Sequence, residues 1–178
     1  MFYTLHRAVK FAFLCGWLWV AWRIYVHREI FEPAIIWFDV WDNGGFDAPR
    51  VDIVQGKVVH VVNSQTFVFE PVKNSKVNVR LMCLRDPIAE ISVAAQEKET
   101  ARREALENLV LGKEVKVKLL YQNANNVGGV VFVDGTNNVQ ANLVLNGYAV
   151  TSKDKVKGIP KEDQYSLLWA QRHRTRIF

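Results

Sequence analysis

The pattern of apolar positions along this chain changes character twice. From Leu5 to Val26 the sequence LHRAVKFAFLCGWLWVAWRIYV is apolar on every side of a helix between Lys10 and Arg23, with no polar stripe of the kind a surface-lying helix shows. From Val51 the period becomes two. Val54, Val58, Val59, Val61 and Val62 lead into a polar turn, Asn63-Ser64-Gln65, and then Thr66-Phe67-Val68-Phe69, which predicts a hairpin. Lys73-Asn74-Ser75-Lys76 is a second turn, before a third strand through Val77–Leu84. Over residues 93–111 the period turns helical: Ala94, Ala101, Ala105, Leu106, Leu109 and Val110 recur at three- and four-residue steps opposite Glu97, Lys98, Arg102 and Arg103, and Gly112 stops the helix. Glu114–Tyr121 and Val130–Val133 read as two further strands, Asn138–Leu145 as a short helix and the stretch near Glu162–His173 as a last one.

The N-terminal 22-residue stretch would extend about 33 Å as a helix, close to a ~30 Å hydrocarbon layer. Its uncharged centre includes Phe11, Leu14, Trp17, Leu18, Trp19 and Trp22, and Lys10 and Arg23 can carry their charges outward to the headgroups on long stems. A single-pass membrane anchor over residues 1–28 is expected. A cleaved signal or transit peptide is the competing reading of the same basic, acid-free stretch. Glu32-Pro33 then opens a short helix over residues 34–41, in which Trp37 and Trp41 share a face. That face suits a membrane surface or a partner protein. Asn43-Gly44-Gly45 and Pro49 close a linker, so that residues 29–49 are the interfacial segment, 50–152 the folded domain and 153–178 a basic helical tail.

Charge narrows the partners. The net charge of +5 is uneven: the first 28 residues hold four basic side chains and no acid, the last 26 hold seven basic against three acidic, and the middle is left at −3. The folded middle therefore offers no general attraction to a phosphate backbone. Two cysteines, Cys15 and Cys83, build no disulfide framework, and four scattered histidines give no zinc spacing. His60 falls in an alternating strand and reads as a half-buried sheet residue, and Cys83 as a small hydrophobe. Of the tail, Arg172 and Arg174 are the residues placed to touch lipid headgroups, an acidic protein or RNA.

Five strands with one helix after the third and another after the fifth is the element order of an α+β, oligonucleotide-binding-type barrel. Over roughly Gln55–Val150 the chain resembles the staphylococcal-nuclease-like (thermonuclease) family. The resemblance rests on GKVVHVVNSQTF, VNVRLMCLRDP, EALENLVLGKEVKVKL and VVFVDGTNNVQANLVLNGYAV, in that order and spacing. It implies phosphodiester cleavage, in which two aspartates hold a calcium ion, a glutamate activates water and two arginines neutralise the phosphate. A hard dication needs convergent carboxylates, the water a proton acceptor, and the transition state cations.

The family's positions are altered here. Its Asp-Gly-Asp-Thr turn reads Asn63-Ser64-Gln65-Thr66. Its second aspartate falls on Arg85 and its glutamate on Ile88. Arg80 is retained, with its stem expected on the barrel and its head beside an acid, whereas Asn125–Gly129 supplies no second cation. A one-residue slip would bring Asp86 and Glu90 toward the site but leave one carboxylate where calcium has two. The expectation is a single-pass membrane protein with a non-catalytic barrel, needing no cofactor, metal or small-molecule substrate. It would serve as an accessory subunit that contacts other membrane-protein subunits and lipid, with the mitochondrial inner membrane as the favoured address and nucleic acid not expected. The alternatives are an active membrane-bound, calcium-dependent nuclease and a non-catalytic nucleic-acid-binding barrel.

Overall fold

A computed structural model of the chain describes residues 16–23, 26, 28–42, 51–85, 93–123 and 126–175. The chain divides into two compact units, residues 1–39 and 40–178. In the first, residues 16–23 are helical and expose Trp17, Leu18, Trp19, Val20 and Trp22. Among the described residues no helix is long and apolar enough to cross a membrane. Phe11 and Leu14 lie outside them. Helix α1 (Arg28–Asp42) passes through Pro33, so it begins earlier than the Glu32-Pro33 signal predicts, and Pro33 forgoes one helical hydrogen bond.

The second unit is α+β. Strands β1 (Ile53–Asn63), β2 (Thr66–Val72) and β3 (Ser75–Leu81) form an antiparallel meander. Then come β4 (Leu84–Arg85), α2 (Val93–Val110), β5 (Glu114–Asn123), β6 (Asn126–Val133), β7 (Asn137–Asn138), α3 (Val139–Leu145), β8 (Val150–Thr151), α4 (Lys153–Val156) and α5 (Lys161–Arg172). The sheet order is β3-β2-β1-β5-β6-β7, and β3 pairs in parallel with β6, Arg80 opposite Gly128 and Leu81 opposite Gly129. That pairing closes a five-stranded mixed barrel of the OB-like kind, with α2 inserted between its third and fourth strands.

Period two puts Val58, Val61, Phe67, Phe69, Val79, Leu81, Val115, Val117 and Val131 inside, and Leu106 and Val110 of α2 join the same core. Gly112 at φ +74° ends α2 in the left-handed conformation that a glycine adopts without steric cost. Its N–H donates to Val58 O at 3.0 Å while Val58 N donates to Lys113 O at 3.0 Å, which ties the helix exit to β1.

Three elements depart from the sequence pattern. The third strand ends at Leu81, since Met82-Cys83 is a turn with Cys83 at φ +66°. The last barrel strand starts at Asn126, four residues before its β-branched run, because Gly128 and Gly129 belong to the closing seam: a Cβ on Gly128 would fall inside the Tyr121 ring, and one on Gly129 would strike Lys118 O. Arg102, on the face assigned to solvent, is buried.

Candidate functional site

Of the positions where the resemblance places chemistry, the β1–β2 turn and Arg80 meet at one end of the barrel. Asn63, Ser64, Gln65 and Thr66 make the β1–β2 turn, in which Asn63 Oδ1 accepts from Gln65 N at 2.9 Å. Gln65 O accepts from Leu81 N at 2.8 Å, and Thr66 lies opposite Arg80 in the β2–β3 register. The sheet pairings therefore bring the turn, Arg80 and the Gly128 seam together. Arg85 follows on β4, exposed, where its neighbour Leu84 faces Thr151 of β8. Ile88, Asp86 and Glu90 lie outside the described residues, as does Asn125.

A residue that the pattern did not single out dominates the turn. Glu99, on the second turn of α2, accepts from Ser64 N at 3.0 Å on one carboxylate oxygen and from Ser64 Oγ at 2.9 Å on the other. Both oxygens of this carboxylate hold the turn. Arg102, one helical turn on, has its Nε 3.8 Å from Glu99 and donating to Lys98 O at 3.1 Å. Arg102 is buried because it lies behind this carboxylate; an i, i+4 charge pattern cannot separate it from the solvated Arg103–Glu107 pair on the next stripe. The only sequence cue to the Glu99 contact is a Ser in the turn where the resembled family carries Gly.

Arg80 is exposed, and no acidic group among the described residues pairs with it, contrary to the expected ion pair. In place of a second arginine, the seam beside it carries Tyr121, whose ring packs over Gly128. Among the described residues no three His, Cys, Asp or Glu side chains converge as metal ligands would. The mouth thus presents hydroxyl and amide groups, an exposed cation at Arg80 and an aromatic ring.

A second buried polar centre lies under the C-terminal helix. Asp163 of α5, 3% exposed, accepts from Lys118 Nζ of β5 at 3.0 and 3.1 Å, and Lys118 also sits 4.9 Å above the Phe132 ring. Burial raises the Asp163 carboxyl above its ordinary value, against the hydrogen bond and charge of Lys118. Burial likewise pushes the Cys83 thiol up to about 12, and its Sγ donates to Lys155 O at 3.2 Å. A thiol so held stays protonated at neutral pH and is a poor nucleophile. His60 is exposed rather than half-buried.

The proposed contact residues are displayed. On α1, Ile30, Trp37 and Trp41 follow at helical spacing with Phe31 and Phe38 beside them, all exposed, while Ile36 and Val40 are buried. At the end of α5, Arg172 is exposed and Arg174 partly so; Trp169 stacks on His173 with ring centroids 4.4 Å apart, and Thr175 N donates to Leu145 O at 2.8 Å. No protein-family model matches the chain, and no curated protein matches it closely enough to stand as a relative.

Proposed function

We propose that this chain is a non-catalytic, staphylococcal-nuclease-like barrel held to a membrane by a single-pass helix over residues 5–26, and that it serves as an accessory subunit of a membrane-protein complex. The observation that carries the reading is the Ser64–Glu99 contact. Where the resembled family opens a turn to a calcium ion with carboxylates, this turn offers amides and hydroxyls, and the nearby carboxylate of Glu99 has both oxygens engaged by Ser64. A cation there would have to break that contact.

Two features support the membrane setting. Residues 16–23 expose tryptophans and leucine at 57–66% on a helix with no polar face, a surface that water disfavours by about 25 cal/mol per Å2. The aromatic face of α1 adds a second apolar surface for lipid or a neighbouring subunit. The basic, acid-free N-terminus suits the mitochondrial inner membrane as the address. Arg172 and Arg174 extend the contact surface toward acidic groups of a partner.

Gentle detergent extraction followed by native electrophoresis and mass spectrometry tests the reading. The chain is expected to migrate in a complex well above its own 20.4 kDa, and the double substitution Trp37→Ser with Trp41→Ser is expected to release it. Migration of the wild-type chain alone contradicts the proposal.

A further inference from the structure

One corner of the barrel domain, where β4, β8 and α4 meet, displays cations. Residues 150–161 hold four lysines against one acid, Asp154, whereas the chain from 29 to 152 sums to −3. Backbone contacts fix the corner: Leu84 and Arg85 pair with Thr151 and Val150, Ser152 N donates to Cys83 O at 2.8 Å, and Cys83 Sγ donates to Lys155 O at 3.2 Å. Val156 and Ile159, each 1% exposed, sink into a small core with Cys83, Val130 and Leu167, and Pro160 is buried next in the chain. With its apolar positions used inward, the segment leaves Lys155 and Lys157 at the surface, and Arg85 of β4 is exposed as well. Among the described residues none of these three cations enters an ion pair. Glu162 and Asp163 follow, and Asp163 is turned inward onto Lys118.

We infer that this corner rests on an anionic bilayer surface, with Arg85, Lys155 and Lys157 against phospholipid phosphates. Charge selects the class of partner. The resembled family carries a metal-binding aspartate at the position of Arg85, so the sign of the group offered here is reversed. The form of the corner then selects among anions. The three side chains are exposed on two backbone segments, an open array that matches a sheet of headgroups and does not enclose a single phosphate. No residue from Lys153 to Lys161 is aromatic, so the segment lacks the stacking platform on which single-stranded nucleic acid is held. Individually weak contacts suffice, because a chain anchored through residues 5–26 keeps the domain at the bilayer at high effective concentration. The inference rests on that membrane reading and adds how the barrel domain meets lipid.

Amine labelling tests it on the unaltered chain. Full-length protein is placed in nanodiscs of phosphatidylcholine, alone or with a third of phosphatidylglycerol, and treated with a neutral amine-reactive reagent; each lysine is read by peptide mass spectrometry. Lys155 and Lys157 are expected to label roughly fivefold more slowly in the anionic discs, the ratio that ~1 kcal/mol per cation corresponds to. Lys73 and Lys76, exposed on the β2–β3 hairpin, should label equally in both. Salt at about 1 M, which screens charges beyond roughly 3 Å, should remove the difference. In a chain carrying Arg85→Gln and Lys157→Gln, Lys155 should label at nearly the same rate in the two discs.

Equal labelling of Lys155 and Lys157 in both discs, or equal slowing at Lys73 and Lys76, overturns the inference and leaves the membrane anchor standing. Protection of Lys155 and Lys157 by a single-stranded RNA oligomer in neutral discs, without protection by anionic lipid, overturns the lipid assignment in favour of nucleic acid. Failure of the wild-type chain to enter neutral discs, with salt-sensitive binding to anionic vesicles retained, overturns the anchor and leaves the corner standing.

Discussion

Ser64 and Glu99 form a contact between elements 35 positions apart in the chain, and hydrogen bonds to an ionised acceptor contribute about 1.5–3 kcal/mol each. Glu99→Ala leaves the Ser64 N–H without its partner and is expected to cost about 2 kcal/mol in urea unfolding; adding Ser64→Ala should change this little, since the partner is already gone. Fully additive losses would show that the two side chains act separately. Asp163 makes a pH-dependent counterpart. Its folded-state value is raised above the ordinary 3.8, so its contribution to stability is complete below pH 3.8 and fades as pH rises through the raised value. The stability of wild type relative to Asp163→Asn should therefore grow as pH falls from 7 toward 3.8, measured by urea unfolding at several pH values; a flat or falling difference contradicts the assignment. Neither residue stood out in the sequence. Glu99 lies on a helix crowded with charge, in the runs 97–99 and 102–104 and at Glu107, and Asp163 in a run of Lys161-Glu162-Asp163 whose register against β5 only the fold decides.

At the scale of elements, α3 is held to the barrel by a side chain acting as a short stretch of backbone. Gln140, fully buried, accepts from Val131 N at 3.0 Å and donates to Gly129 O at 2.8 Å. These are β6 groups at and beyond the end of the β3 pairing. Gln140→Leu should cost about 1–3 kcal/mol by stranding the buried Val131 N–H, visible as a lowered urea midpoint. The seam of β5 and β6 yields a second test. Gly128→Ala forces a methyl group into the Tyr121 ring and should cost about 1–3 kcal/mol, falling below ~1 kcal/mol in a Tyr121→Ala background. Equal cost in both backgrounds would place the strain elsewhere. Strands with alternating β-branched residues were legible because each needs one apolar face. The strand through Asn126–Gly129 was not, since its glycines announce a loop until the ring that crosses them is known. The turn at Cys83 was hidden likewise, because a left-handed non-glycine residue has no sequence signature; its conformation fits the docking of Ser152 N on Cys83 O at 2.8 Å.

For the whole molecule, the order of strands and helices was enough to reach an OB-like barrel, because short connections and one inserted helix leave few ways to close five strands. Closure by the parallel pairing of β3 with β6 brings together residues that the chain keeps 48 apart, and it sets the Gly128 seam beside Arg80, which the β2–β3 register places opposite Thr66 of the turn. The membrane segment was read from composition alone, and its first fifteen residues lie outside those described. What a site can do depends on which groups converge, and our proposal is that this mouth does not gather the carboxylates that calcium requires. Calorimetric titration of the full-length chain with calcium, run beside an assay of single-stranded DNA and RNA hydrolysis, tests that most directly. No saturable binding is expected up to millimolar calcium, and no cleavage above buffer. Saturable calcium binding with calcium-dependent cleavage, lost in Asp86→Ala or Glu90→Ala, would contradict it.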